Sequence, residues 1–202
     1  MQTKDFGGIH IEGHIKIWDP EHDEVFINKR NAIHYENMSV ALANAVANSG
    51  SGIISEMAFG NGGTAVDPTG IITYLTPNTT GINASLYNET YIKVIDDTSS
   101  ANINPLRNYI ETRHVTGTNY TDVFITCLLD YGEPTGQDAF DNTSDTKSLY
   151  TFDELGLVTR NESNQKKLLT HVIFHPVQKS LNRLIQIDYT VRIQSLTGLM
   201  GA

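Results

Sequence analysis

The sequence is poor in cysteine and in positive charge. Its one cysteine, Cys127, excludes a disulfide within the chain and a zinc site built from cysteines, and is typical of a reducing compartment. Lys and Arg number 14 against 23 Asp and Glu, which gives a formal net charge of −9. A surface that follows nucleic-acid phosphates needs an excess of positive charge, so we expect no nucleic-acid partner.

Long apolar runs are also missing. No run reaches the roughly 18 consecutive apolar residues of a membrane span, and the first residues carry no apolar stretch of signal-peptide length. We therefore expect neither a membrane partner nor export by a signal peptide. A chain of 202 residues suits one hydrophobic core, so residues 1–202 are expected to form a single domain.

What is abundant is typical of a β-rich, loop-rich protein: 17 Asn, 12 Ser, 22 Thr and 16 Gly. Apolar residues alternate with polar ones, or cluster with β-branched and aromatic residues, in short segments. Segments of this kind, which are expected to be extended, lie at residues 9–17, 25–27, 53–59, 71–75, 91–95, 109–115, 120–129, 149–158, 168–175 and 184–193. In the last of these, Ile185, Ile187 and Tyr189 are expected to face inward.

One segment has a helical period. Tyr35, Met38 and Leu42 recur at steps of three and four, which predicts a helix over residues 33–48 that ends at the glycine-rich segment 49–52. The expected fold is an antiparallel β-sandwich of about eight or nine strands with one α-helix packed on it. Within it, residues 1–30 are expected to be an N-terminal hairpin extension, 31–193 the core with the helix, and 194–202 a tail.

Histidine pairs four residues apart occur at 10 and 14 and again at 171 and 175. On a strand such pairs share a face but lie about 13 Å apart, too far to bind one metal ion, so we expect histidines that are exposed or at the edge of the core. The acidic cluster at 19–24 lacks the Gly and the final Glu of a calcium loop and is predicted to be a turn.

The usual signatures of catalysis are missing as well. The glycine-rich loop 60–63 has no Gly-Lys-Ser/Thr and opens no helix, and no Gly-x-Ser-x-Gly occurs. Cys127 lies among apolar strand residues, where a thiol is normally a small buried hydrophobe. The sequence therefore predicts no enzymatic activity, no catalytic residue, no cofactor and no metal site.

Three segments follow one another in a familiar order. The strand and loop 53–63 reads Ile-Ile-Ser-Glu-Met-Ala-Phe-Gly-Asn-Gly-Gly, residues 86–91 read Leu-Tyr-Asn-Glu-Thr-Tyr, and residues 152–158 read Phe-Asp-Glu-Leu-Gly-Leu-Val. This order resembles the virion-attachment domain at the N-terminus of tail-collar fibre proteins, and related neck and baseplate components, of tailed bacteriophages.

The resemblance implies a non-enzymatic structural protein of a phage virion, made in the host cytoplasm. It implies an oligomeric connector or adaptor whose partners are its own copies and other tail, neck or fibre proteins. Members of that family usually continue into a fibrous shaft, whereas this chain ends at Ala202, which favours a free-standing adaptor. Residues expected at subunit contacts are Trp18, Asn61, Gly62, Gly63, Tyr131 and, in the long polar loop 133–147, Phe140.

Two other functions fit the same sequence. A capsid decoration protein would be similarly acidic and β-rich. A carbohydrate-binding module would use Trp18, Tyr74 and Tyr87 as stacking platforms, although the chain has a single tryptophan. The loop 60–63 also fits an ordinary tight turn.

Overall fold

The computed structural model describes residues 7–134, 149–161 and 163–197. In this part of the chain the backbone forms one helix and thirteen strands. They are β1 (Gly7–Asp19), β2 (Glu24–Arg30), β3 (Ala32–Ile33), α1 (Tyr35–Ala47), β4 (Ile54–Gly60), β5 (Thr64–Val66), β6 (Ile72–Tyr74), β7 (Glu89–Val94), β8 (Tyr109–His114), β9 (Tyr120–Leu129), β10 (Leu149–Arg160), β11 (Lys166–Leu168), β12 (Thr170–Ser180) and β13 (Ile185–Thr197).

Two antiparallel sheets form the sandwich. The first sheet has the order β2-β1-β13-β9-β8 and the second β3-β12-β10-β4-β7, with β11 also paired to β10 and a separate hairpin β5-β6. One hydrophobic core joins side chains of both sheets, among them Ile15 and Ile187 from the first and Phe59 and Phe152 from the second. The expected mainly-β sandwich with one helix is confirmed. The thirteen described strands outnumber the eight or nine expected. Each of the ten segments named from the sequence contains a strand, and β3, β5 and β11 are additional strands of two or three residues, too short to show a period.

The alternation read from residues 184–193 is also confirmed. Ile185, Ile187 and Tyr189 are fully buried in β13, while the residues between them are partly exposed. This is the pattern of a strand with one face on the core and one toward solvent.

The N-terminal hairpin differs from the expected extension. β1 and β2 do pair, but β1 lies inside the first sheet, where its other edge pairs with β13 from Gly7 through Trp18. Ile11, Ile15 and Ile17 belong to the main core. The hairpin is therefore part of the sandwich, and β13 likewise runs past residue 193 into the segment expected to be a tail.

The helix lies close to its expected position. His34 caps its N-terminus, because its side chain accepts a hydrogen bond from the backbone N–H of Asn37. At the other end Asn48, with φ of 51°, takes the left-handed conformation that ends the helix, one residue before the glycine-rich segment 49–52. Met38 is buried in the main core, whereas Ala45 is exposed.

The second sheet is covered on both faces. Leu155 and Leu157 of β10 face the main core, while Val158 packs with Ala58 and Leu86 in a second, smaller core. β10 is consequently buried along almost its whole length, as expected for a central strand with both faces covered. The segment between β4 and β7 thus lies against the outer face of this sheet.

Candidate functional site

An irregularity in β10 creates the candidate site. Tyr150 and Phe152 face the main core at even positions and Leu155 faces it at an odd one, so the alternation changes phase between them. The pairing with β12 changes register at the same place. As in a β-bulge, two neighbouring residues, Asp153 and Glu154, are left to bind groups outside the main core.

Glu154 is wholly buried and accepts four hydrogen bonds. Its Oε1 accepts from the backbone N–H of Gly62 at 3.1 Å and of Asn88 at 2.8 Å. Its Oε2 accepts from the backbone N–H of Tyr87 and from Nε2 of His171, each at 2.9 Å. Burial by itself would raise the pKa of Glu154, but these hydrogen bonds to the charged form outweigh it, and the pKa lies below its ordinary value.

His171 is also fully buried, so the expectation of exposed or edge histidines is wrong at this position. Its Nδ1 accepts a hydrogen bond from the backbone N–H of Asn78 at 2.7 Å. The ring proton therefore lies on Nε2, from which it is donated to Glu154. Both ring nitrogens are used within the chain. His10, His14 and His175 are exposed, as expected.

Asp153 holds the next part of the same loop. Its carboxylate accepts from the backbone N–H groups of Gly63 and Thr64, each at 2.9 Å, and from the Thr64 hydroxyl. Burial raises the pKa of Asp153 above its ordinary value, and the neighbouring charge of Glu154 acts in the same direction. We call Asp153, Glu154 and His171 the carboxylate clamp.

The glycines of the loop are required by this packing. A Cβ on Gly62 would lie 2.8 Å from the backbone N of Asn88, and one on Gly63 would lie 2.9 Å from Cγ2 of Ile173. The lack of a side chain at these glycines therefore lets the loop pack closely against other segments of the same chain. Asn61 contacts the same neighbour, because Nδ2 of Asn88 donates to its Oδ1 at 2.6 Å. A role of this loop in subunit contact stays a prediction.

The clamp joins the three segments on which the phage resemblance rests. Glu154 of the third segment binds the loop of the first at Gly62 and the middle segment at Asn88. The sequence did not identify Asp153, Glu154 or His171 as site residues. The sequence does contain a signal, because two adjacent acidic residues lie inside the apolar strand 149–158. A charge buried there needs several hydrogen-bond donors, which indicates contacts with other segments.

The clamp makes its hydrogen bonds within the fold. Four donors occupy the oxygens of Glu154, and both nitrogens of His171 are engaged, so these groups have no free position for a substrate or a metal ion. Across residues 7–134, 149–161 and 163–197, no group of three His, Cys, Asp or Glu is arranged to hold a metal. The clamp ties two loops to the second sheet.

Trp18 and Tyr131 lie elsewhere, at one end of the first sheet. Nε1 of Trp18 donates to Asp188 at 2.7 Å, and Nζ of Lys16 lies 4.1 Å from the centre of the indole ring. Tyr131 is 51% exposed and its hydroxyl donates to Glu21 of the β1–β2 turn. The remaining predicted contact residue, Phe140, lies outside the described residues.

Buried charges fix the turns at this end. Asp19 is fully buried and binds Nε of Arg183 at 2.7 Å and Nδ1 of His22 at 2.9 Å. Burial would raise the pKa of Asp19, but these hydrogen bonds lower it well below the ordinary value. Nζ of Lys179 donates to the carbonyls of Asp130 and Glu133, and burial lowers the pKa of this lysine to about 8.

The aromatic residues considered for sugar stacking lie in different parts of the fold. Trp18 lies in the first sheet, whereas Tyr87 contacts His171 and the hydroxyl of Tyr74 contacts His175, both on β12 of the second sheet. The phenol of Tyr87 is further tied to the chain by its hydrogen bond to the Thr76 carbonyl at 2.7 Å. These three rings do not form one platform.

Comparisons with protein-family models, curated proteins and solved structures found no match to this chain. No helix in the described ranges is both long enough and apolar enough to span a membrane.

Proposed function

We propose that this protein is a non-enzymatic structural component of a tailed-phage virion, an oligomeric connector or adaptor in the tail, neck or fibre-attachment region. The proposal rests on the resemblance of segments 53–63, 86–91 and 152–158 to virion-attachment domains. The observation that supports it most is that Glu154 binds the other two segments directly. The three segments also include parts of the neighbouring strands β10, β4 and β7, so they form one connected part of the second sheet.

The properties of the sandwich agree with such a role. Its loops are fixed by buried carboxylates, at the clamp and again at Asp19, so the surface they form is rigid. A rigid surface limits the entropy lost when subunits associate. In a subunit of an assembly, buried charges that fix loops serve shape rather than reaction chemistry.

The experiment that tests the proposal is gold-labelled antibody electron microscopy on intact particles from the phage whose genome encodes this chain. Label at the neck, tail or fibre attachment is expected. An antibody against the major capsid protein, which must label the head, is the control for access and preservation.

Two outcomes would overturn the proposal. Label spread over the whole head would assign the protein to capsid decoration. Particles that carry their other structural proteins but bind no label, and show no peptide of this chain by mass spectrometry, would remove it from the virion.

A further inference from the structure

A small pocket of about 110 Å³ opens between the helix and the second sheet, and we call it the α1 pocket. Its walls are mostly apolar and include Val40 and Ala41 of α1 and Ile82 of the segment between β6 and β7. Pockets for drug-sized ligands measure about 300–1,000 Å³. The α1 pocket therefore has room for a group of the size of one side chain.

Two buried oxygens in the lining of the α1 pocket have no hydrogen-bond partner. Asn37 of α1 is 3% exposed and Thr159 of β10 is 4% exposed. Nδ2 of Asn37 donates to the carbonyl of Leu168 at 2.9 Å, which fixes the orientation of the amide. Among the described residues, neither Oδ1 of Asn37 nor Oγ1 of Thr159 has a partner. A buried acceptor without a donor is costly, so the pocket favours an occupant that donates N–H or O–H to both oxygens.

Two cations line the same pocket. Nζ of Lys167 donates to the carbonyl of Ile82 at 3.1 Å and to Oδ1 of Asn83 at 2.8 Å. An ammonium group has three donors, so one is left for an acceptor on the occupant. The second cation, Arg160, is bound by both carboxylate oxygens of Glu56. The occupant is therefore expected to carry an acceptor as well as two donors.

We infer that the α1 pocket binds a primary amide, the group that ends an Asn or Gln side chain, presented by another protein. The NH₂ of the amide has two donors, for Asn37 and Thr159, and its carbonyl accepts from Lys167. Other groups fit less well. A carboxylate has no donor for Oδ1 of Asn37, a hydroxyl has one donor for two acceptors, and an ammonium meets the like charges of Lys167 and Arg160.

The size of the pocket favours a side chain as the source of the amide. An amide with the one or two methylenes that join it to a backbone fills a pocket of about 110 Å³, and the methylenes contact the apolar walls. One such group binds weakly alone and becomes effective when other contacts hold the two proteins together. The inference deepens the proposed function, on which it rests for a partner within the virion.

An NMR titration of the full-length, ¹⁵N-labelled chain tests the chemistry of the site. Propionamide is the probe, and it is expected to shift the backbone signals of Ala41 and Thr159 in a saturable way, with a dissociation constant roughly in the millimolar range. N,N-dimethylpropionamide, which has no N–H, and sodium propionate are expected to give no saturable shift. A glutamine blocked at both ends should bind at least as tightly as propionamide, and a blocked alanine should not bind.

Two valine variants separate a binding oxygen from a structural one. Thr159→Val removes the unpartnered oxygen and is expected to weaken propionamide binding about five- to tenfold, with a melting temperature that is unchanged or higher. Thr170→Val is the matched control. The hydroxyl of Thr170, which is fully buried, accepts from the backbone N–H of Leu157 at 3.0 Å. This variant should lower the melting temperature and leave the affinity for propionamide unchanged.

The inference is overturned if propionamide gives no saturable shift at the pocket, or if its dimethyl analogue binds equally well. Binding of propionamide without binding of the blocked glutamine would reject a side chain as the source. A melting temperature lowered as much by Thr159→Val as by Thr170→Val would show that the Thr159 oxygen is structural. Amide binding without gold label on particles would reject the proposed function alone, whereas label at the neck or tail without amide binding would reject this inference alone.

Discussion

Glu154 shows what a charged residue needs in order to lie inside this sandwich. A fully buried carboxylate is costly by several kcal/mol unless donors replace the water it loses. Here three of the four donors are backbone N–H groups, from Gly62, Tyr87 and Asn88. Because backbone groups move only with their loops, the carboxylate fixes the position of both loops on the second sheet.

Replacing Glu154 by Ala is expected to lower the free energy of unfolding by roughly 3–5 kcal/mol, because it leaves buried donors without an acceptor. Urea unfolding followed by the fluorescence of Trp18, the single tryptophan, measures the change. The control is Asp97→Ala at an exposed position, where a change within about 0.5 kcal/mol is expected. Equal stability of the two variants would contradict the role assigned to the clamp.

At the scale of elements, β1 decides whether the first sheet forms. It lies between β2 and β13 and contributes Ile11, Ile15 and Ile17 to the main core. Removing an inner strand exposes the paired edges of both neighbours and opens the core. We therefore expect the N-terminal segment to be required for the fold.

Ile15→Ala is expected to destabilise the protein by about 2–5 kcal/mol, because Ile15 is 0% exposed and its loss leaves a cavity. Ile9→Ala, on the same strand at a residue 65% exposed, should change the stability by less than about 1 kcal/mol.

A chain that starts at residue 31 should show no cooperative thermal transition by circular dichroism. Cooperative folding of that shortened chain would show that residues 1–30 are an extension after all.

For the whole molecule, acid is expected to be destabilising. The pKa values of Glu154, Asp19 and Asp122 lie below their ordinary values of 4.5, 3.8 and 3.8. For Glu154 and Asp19, hydrogen bonds outweigh the raising effect of burial, and for Asp122 the Arg192 hydrogen bond is the main cause. Their stabilising contribution is therefore present above these ordinary values and is lost as the pH falls through the lower folded-state values.

Asp153 affects the pH dependence of stability in the opposite direction, because burial raises its pKa. Its contribution to stability is present below the ordinary pKa of 3.8 and is lost as the pH rises through the raised pKa of the folded state. Asp153 therefore offsets only part of the destabilisation by acid.

Urea unfolding from pH 7 to pH 3 should show a falling free energy of unfolding. Asp19→Asn should flatten this dependence and Asp97→Asn should not. A stability independent of pH over this range would contradict the assignment.

Much of the fold could be predicted from the sequence because strand and helix periods are local. The alternation in β13 and the steps of three and four at Tyr35, Met38 and Leu42 depend on residues close in the chain. The turn after Asp19 is local as well. These features determined the sandwich class and the place of the helix.

Only the tertiary structure decided which distant segments meet. β1 pairs with β13 from the other end of the chain, and no pattern within β1 names that partner. The candidate site is of the same kind, because the donors to Glu154 come from two loops and from His171, far from it in sequence. The local period of apolar residues predicts which side of a strand is buried. A buried charge, by contrast, is stabilised by donors from distant segments, and only the tertiary structure shows which donors these are.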